Sequence, residues 1–136
     1  MARSKEFRVT VEDKPSALGA CCIALAEKGI NILAFQSFVE QGESLARFVV
    51  DDPDGALDVL RNMRANFEQD DVVMVTLPHH PGELGRAALC LGENRVNINY
   101  SYCGLMPGSN VPLIVFGVDQ VTKASALLDE LAAKVS

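Results

Sequence analysis

Lysine and arginine are nowhere concentrated in this chain, which carries 12 of them against 18 Asp and Glu, for a formal net charge of −6 and a pI near 4.8. Nucleic acid and anionic membrane surfaces are disfavoured as partners, because phosphate binding rests on clustered basic side chains. No apolar run approaches the roughly 20 residues that span a bilayer. The polar opening MARSKEF lacks the apolar stretch of a signal peptide, so a cytoplasmic location is expected. Cys21, Cys22, Cys90 and Cys103 form neither a CxxC nor a CxxH pair, and the spacing gives zinc no support. Free, reduced thiols acting as small core residues are expected instead. His79 and His80 adjoin each other without further ligands nearby in sequence, and read as exposed turn residues rather than a metal site. No Ser-His-Asp or Cys-His set stands where the chain would bring it together, so catalysis, cofactor and metal are all expected to be absent.

What the chain does have is a repeat. Its 136 residues are 49% apolar and 22% charged, an ordinary globular composition with room for one compact unit or two small halves. PSALGACCIALAEKGINI from Pro15 and PGELGRAALCLGENRVNI from Pro81 align without gaps, 81 − 15 = 66 residues apart. Pro15, Leu18, Gly19, Leu25, Glu27, Asn31 and Ile32 recur as Pro81, Leu84, Gly85, Leu91, Glu93, Asn97 and Ile98.

Periodicity gives both copies one grammar. Phe7, Val9 and Val11 alternate with Arg8, Thr10 and Glu12 as a half-buried strand, and VVMVTL before Pro81 is an apolar run of strand length. Pro15 and Pro81 are expected in a first helical turn, where a missing N–H is tolerated. Leu18, Cys22 and Leu25, like Leu84, Ala88 and Leu91, fall at i, i+4, i+7 and predict one buried helical face, with Gly29 as the stop of the first helix. INILAFQSFVE and SLARFVVD predict a hairpin, as do VNINYSYC and VPLIVFGVD across Gly104 to Asn110. Asp52-Pro53 opens an amphipathic helix carrying Ala56, Leu57, Leu60, Met63 and Phe67, matched later by Val121, Ala124, Leu128 and Leu131.

The predicted class is α+β: two ferredoxin-like repeats, βαββαβ and then αββα sharing the strand from Val72 to Leu77, with antiparallel sheets covered by helices on one face. The expected halves are 1–71 and 72–136, the second lacking a C-terminal closing strand. Its sheet is therefore expected to expose an edge along Val111 to Val118, which a homodimer would cover.

At Asp13-Lys14-Pro15-Ser16-Ala17-Leu18 with Gly29-Ile30-Asn31-Ile32, and again at His79-His80-Pro81-Gly82-Glu83-Leu84 with Arg95-Val96-Asn97-Ile98, the chain resembles the ACT domain family, whose pattern is a strand, a D-x-P-G-x-L turn, a helix and a G-x-N-I segment. The resemblance covers nearly the whole chain as a tandem pair. It implies regulatory binding of a small molecule, typically an amino acid, with Asp13, Ser16, Ala17, Leu18 and Asn31 in one site and His79, Gly82, Glu83, Leu84 and Asn97 in the other. It also implies side-by-side units and a regulated enzyme as partner. A helix N-terminus suits a carboxylate, and Asp13 suits an ammonium group. Ser16 and His79 depart from the pattern. Glu83 places a negative charge where the first copy has Ala17, so the first turn is expected to hold an anionic ligand better than the second.

Plainer roles stand beside these. Asn31 and Asn97 can satisfy backbone groups at a turn, Asp13 can close one, and Tyr100 and Tyr102 can simply pack on one sheet face. Two other functions compete with ligand binding: a ligand-independent dimerisation module, and a small ferredoxin-like enzyme.

Overall fold

The computed structural model describes residues 2–106, 108 and 111–135. They form six strands and four helices: β1 (Arg3–Glu12), α1 (Ala17–Glu27), β2 (Ile32–Glu40), β3 (Glu43–Val50), α2 (Pro53–Asn62), β4 (Asn66–Thr76), α3 (Glu83–Glu93), β5 (Ile98–Leu105), β6 (Pro112–Val118) and α4 (Val121–Val135). Pro107, Ser109 and Asn110 of the expected 104–110 connection lie outside the described residues. The chain divides into two compact units, Lys5–Asp70 and Met1–Ser4 with Asp71–Ser136.

In the first unit β1 pairs antiparallel with β3, and β3 with β2, so that Phe48 stands opposite Phe7 on one side and Phe35 on the other. The start of β4 belongs to this unit, where the Arg8 guanidinium pairs with the carboxylates of Glu68 and Asp70. Phe7 and Val9 turn into a core with Cys21 and Leu25 of α1 and Ala56, Val59 and Leu60 of α2, which is what the period-2 and period-3.6 patterns require. The buried stripe of α1 is Cys21 and Leu25, and that of α3 is Ala87 and Leu91, one residue round from the expected Cys22 and Ala88. Phe67 is not helical. It lies on β4 and tilts against Phe7 at 6.2 Å, because α2 stops at Asn62.

That stop has a local cause shared by three helices. Gly29, Arg64 and Arg95 take left-handed backbone (φ 71, 56 and 62°), and the next N–H returns to the helix: Ile30 to the Leu25 carbonyl, Ala65 to Leu60 and Val96 to Leu91. Each closure brings two apolar side chains together, the signature of a Schellman ending. At the other ends, Asp52 caps α2 by accepting from the Gly55 N–H at 3.0 Å. Pro15 and Pro81 sit in the turns before α1 and α3, outside the first helical turn.

The second unit repeats the plan, with β6 between β4 and β5: Phe116 faces Val73 on one side and Ser101 on the other. β6 is thus a central strand, which overturns the expected exposed edge along Val111 to Val118. Its run of apolar side chains is the mark of burial on both faces. The closing position falls to residues 2–4. The Ala2 carbonyl accepts from the Met74 N–H at 2.7 Å, the Ala2 N–H donates to Asp129 at 2.7 Å, and Arg3 pairs with Asp71 at 2.8 Å. The second unit's closing strand therefore comes from the chain's opening residues, whereas the repeat alone assigns them to the first copy. On β5 the Tyr100 ring stacks on Tyr102 at 6.4 Å and covers Gly117, where a Cβ would lie 2.1 Å from the ring. Packing is the role these tyrosines take.

Candidate functional site

Both repeats enter their first helix in the same way. Ser16 (φ 70°) and Gly82 (φ 94°) hold left-handed backbone at the N-cap, and neither α1 nor α3 has a side-chain cap. Ala17 and Glu83 donate at 3.4 Å to the carbonyls of Lys14 and His80, while the N–H groups of Ala20 and Arg86 reach those of Ser16 and Gly82 at 2.9 Å. The first-turn N–H groups of Leu18, Gly19, Leu84 and Gly85 lack intrahelical acceptors by the geometry of a helix start. Glycine takes this backbone freely; for Ser16 it costs about 1–2 kcal/mol. Asp13 is exposed beside the Lys14–Glu12 ion pair, whose length is 3.1 Å.

The two asparagines are held by a clasp that also repeats. The Asn31 N–H donates to the Asp51 carboxylate at 2.9 Å and the Asp51 N–H to the Asn31 carbonyl at 3.1 Å. Asn97 and Asp119 do the same at 3.0 and 3.4 Å. The clasp uses the asparagine backbone, which leaves the side-chain amides for other partners. That of Asn97 donates to Asn99 Oδ1 at 2.8 Å. Asp51→Ala is therefore expected to lower the unfolding free energy by about 1–2 kcal/mol. Asn31→Ala should cost less than about 0.5 kcal/mol. Urea unfolding of the two variants checks this, and equal losses would place the structural work in the asparagine side chain.

The second unit carries a cavity of about 400 Å³ at the start of α3. Leu77, Pro78, His79 and His80 bring in the end of β4 and its turn, Glu83 and Leu84 the first turn of α3, and Cys103 to Leu105 with Pro112 and Ile114 the facing ends of β5 and β6. Three of the sequence-predicted residues, His79, Glu83 and Leu84, thus share one wall. Neither Asn97 nor Gly82 is among the lining residues; Gly82 supplies the left-handed N-cap of α3. His79, His80, Glu83 and Cys103 are the polar residues of the lining. The Glu83 side chain is 13% exposed, with Oε1 3.5 Å from His80 Nδ1 and Oε2 enclosed, with no hydrogen-bond partner among the described residues. Cavities of roughly 300–1,000 Å³, mostly apolar with a few polar groups, are the usual form of small-molecule sites.

No three His, Cys, Asp or Glu side chains among the described residues are close enough to hold a metal ion. All four cysteines are free, but they are not all core residues: Cys21 is buried, Cys22 and Cys90 are half-buried, and Cys103 is exposed on the cavity wall. Burial, with Cys22 alongside, pushes the Cys21 thiol up to about 11, and burial raises that of Cys22. Sequence reasoning missed Asp51, Asp119 and Cys103. For the two aspartates a signal exists: each directly follows the second strand of its repeat's hairpin, in Val-Val-Asp and Gly-Val-Asp.

Two units that share a strand-helix-strand-strand-helix order, a left-handed turn into the first helix and a backbone clasp between Asn and Asp define a tandem ferredoxin-like pair. The chain belongs to the ACT domain pair family, which matches residues 2–133. No curated protein matches it. Among solved structures it is similar to a protein from Bacteroides thetaiotaomicron at 27% identity and a TM-score of 0.84, covering 99% of this chain and 91% of that one. It is also similar in fold to regulatory subunits of aspartate kinase from Thermus thermophilus (15% identity, TM-score 0.63, 95% and 91% covered) and Thermus flavus (15%, 0.63, 99% and 93%). No described helix is long and apolar enough to cross a membrane.

Proposed function

We propose that this chain is a non-catalytic regulatory module that binds a small molecule, an amino acid by class, at the turns into its repeated helices. The observation that carries this is the cavity of about 400 Å³ at the start of α3, formed around the positions where the family resemblance implies a ligand. His79, Glu83 and Leu84 line that cavity, and with Gly82 and Asn97 they make up the proposed site of the second repeat. Asp13, Ser16, Ala17, Leu18 and Asn31 form the corresponding turn of the first repeat. The fold shared with regulatory subunits of aspartate kinase supports a role in controlling a partner enzyme, in the cytoplasm.

Anything that binds only the folded state raises the melting temperature by mass action. A thermal-shift screen against the free amino acids is therefore expected to show an upward shift for a small subset, with no turnover of the ligand. A melting temperature that none of them moves overturns ligand binding and leaves the dimerisation module. One observation favours that second reading. The outer face of α1 is apolar, with Ile23 59% exposed and no charged residue before Glu27, which suits a homodimer contact. Sedimentation equilibrium with and without the shifting amino acid separates a 14.7 kDa monomer from a dimer.

A further inference from the structure

α3 turns Ala87 and Leu91 into the core of its unit. At about 100° per residue Leu89 falls directly opposite them, and it is 61% exposed. Gly85 and Gly92 flank it on one side and Arg86 and Glu93 on the other, all four exposed. Leu89 and Cys90 also line a groove of about 300 Å³ whose far wall is Leu131 and Lys134 of α4.

Two features of this face go unused within the chain. Helix interiors disfavour glycine, yet a Cβ at Gly85 or Gly92 would meet nothing within 4 Å, so no contact inside the chain requires either. The side chains of Arg86 and Glu93 form no ion pair among the described residues, whereas Lys134 across the groove pairs with Glu130 at 3.3 Å.

The spacing of the two free charges says what fits them. Arg86 and Glu93 are 93 − 86 = 7 residues apart, about two helical turns, on the same side of Leu89. An antiparallel copy of the same helix, related by a two-fold axis level with Leu89, sets each Arg86 against the Glu93 of the other copy, and Leu89 against Leu89. A parallel copy would oppose like charges at both places. Gly85 and Gly92 fall on the other side of that seam, where the absence of side chains lets two helices approach closely. The outer face of α1 carries no such code, because Gly19, Ala20, Ile23 and Ala26 offer no charge to fix a direction or a register.

We infer that the outer face of α3 is a self-complementary docking surface whose partner is a second copy of this chain, joined in a two-fold dimer through antiparallel α3 helices. The contact is independent of what the cavity binds, and it lies on the second repeat, apart from the apolar face of α1.

Sedimentation equilibrium of the full chain and a charge-swap series test it. The substituted side chains are exposed, so each variant is expected to keep the parent's circular dichroism spectrum. The parent chain is expected to dimerise with a dissociation constant below about 100 µM. Arg86→Glu and Glu93→Arg each turn both ion pairs into like-charge contacts, and each is expected to weaken the dimer at least about tenfold. The double swap restores opposite signs and is expected to return to within about threefold of the parent. Leu89→Ser is expected to leave a monomer, and Ile23→Ser to leave the dimer intact. A mass of 14.7 kDa for the parent at about 100 µM overturns the inference. A dimer that survives Leu89→Ser does so too, and puts the contact on α1 if Ile23→Ser dissolves it. A double swap as weak as the single substitutions also overturns it, because the orientation rests on those ion pairs. None of these outcomes bears on the amino-acid screen, so ligand binding and the α3 contact stand or fall separately.

Discussion

Replacing Phe48 by alanine is expected to lower the unfolding free energy by about 3–5 kcal/mol, a large share of the 5–15 kcal/mol that holds a domain of ordinary stability together. Phe48 is the central aromatic of the first unit. It is 1% exposed, lies 5.9 Å from the Phe7 ring and 6.4 Å from Phe35, both stacked, and stands in β3 between the two strands that carry those rings. Removing it deletes the buried ring and leaves a void in the core it shares with Phe7, Leu25 and Leu60. Phe38→Ala is the control. Its ring is 40% exposed with the Arg47 guanidinium 5.8 Å from its centroid, and loss of that contact is expected to cost about 1 kcal/mol or less. Urea unfolding of both variants measures the difference. A loss below about 1 kcal/mol for Phe48→Ala would mean that the β1–β3–β2 register described here is wrong.

Most of this architecture was legible because the chain states it twice. Where two copies agree at Pro15 and Pro81, Leu25 and Leu91, or Asn31 and Asn97, each weak local signal confirms the other, and the strand-helix-strand-strand-helix order follows from residues alone. What escaped depends on contacts distant in sequence. Ala2 belongs beside Met74 because the second sheet lacks a fourth strand, and nothing in the apolarity of residues 2–4 announces that pairing. The same absence made Val111 to Val118 look like an edge, since a run of apolar residues marks an unprotected edge and a central strand alike. Phe67 fitted the helical period of α2, but left-handed Arg64 ended the helix first. Arginine gives no warning of that conformation, whereas Gly29 did.

The candidate site was legible in position more than in chemistry. His79, Glu83 and Leu84 were named from a turn motif and do line the cavity. The asparagines read both as side-chain ligands and as residues that satisfy a turn; the clasp at the turn uses their backbone with the carboxylates of Asp51 and Asp119, and leaves their side-chain amides outside it. The direction of the Glu83 side chain is a rotamer choice set by packing, and a first-turn glutamate gives no sign in sequence of whether it turns outward or inward.

Cys103 is expected to be alkylated by N-ethylmaleimide at least about a hundredfold faster than Cys21 at pH 8, and a ligand in the cavity is expected to protect it. The reactive species is the thiolate. Raising the Cys21 thiol from 9.0 to about 11 cuts its thiolate fraction about a hundredfold at any pH well below 9, before its burial is considered, and Cys22 is shifted in the same direction. The sign also protects the fold. A thiol whose folded pKa is raised contributes stability that is fully present below its unfolded value and is lost as pH climbs from about 9 towards 11, so labelling at pH 8 leaves that contribution intact. Cys103 is exposed on β5 and forms part of the cavity wall beside Leu105 and Pro112. Cys22 and Cys90 are half-buried, Cys90 on α3 outside that wall, and Cys22→Ala with Cys90→Ala leaves Cys103 as the one thiol that is not buried for mass spectrometry to follow. An amino acid that raises the melting temperature should slow this reaction in proportion to its occupancy, and Cys103→Phe, which places a ring in the cavity, should abolish the shift without unfolding the chain. An unchanged Cys103 rate at saturating ligand would move the binding site away from α3, to the first-repeat turn at Asp13, Ser16 and Asn31.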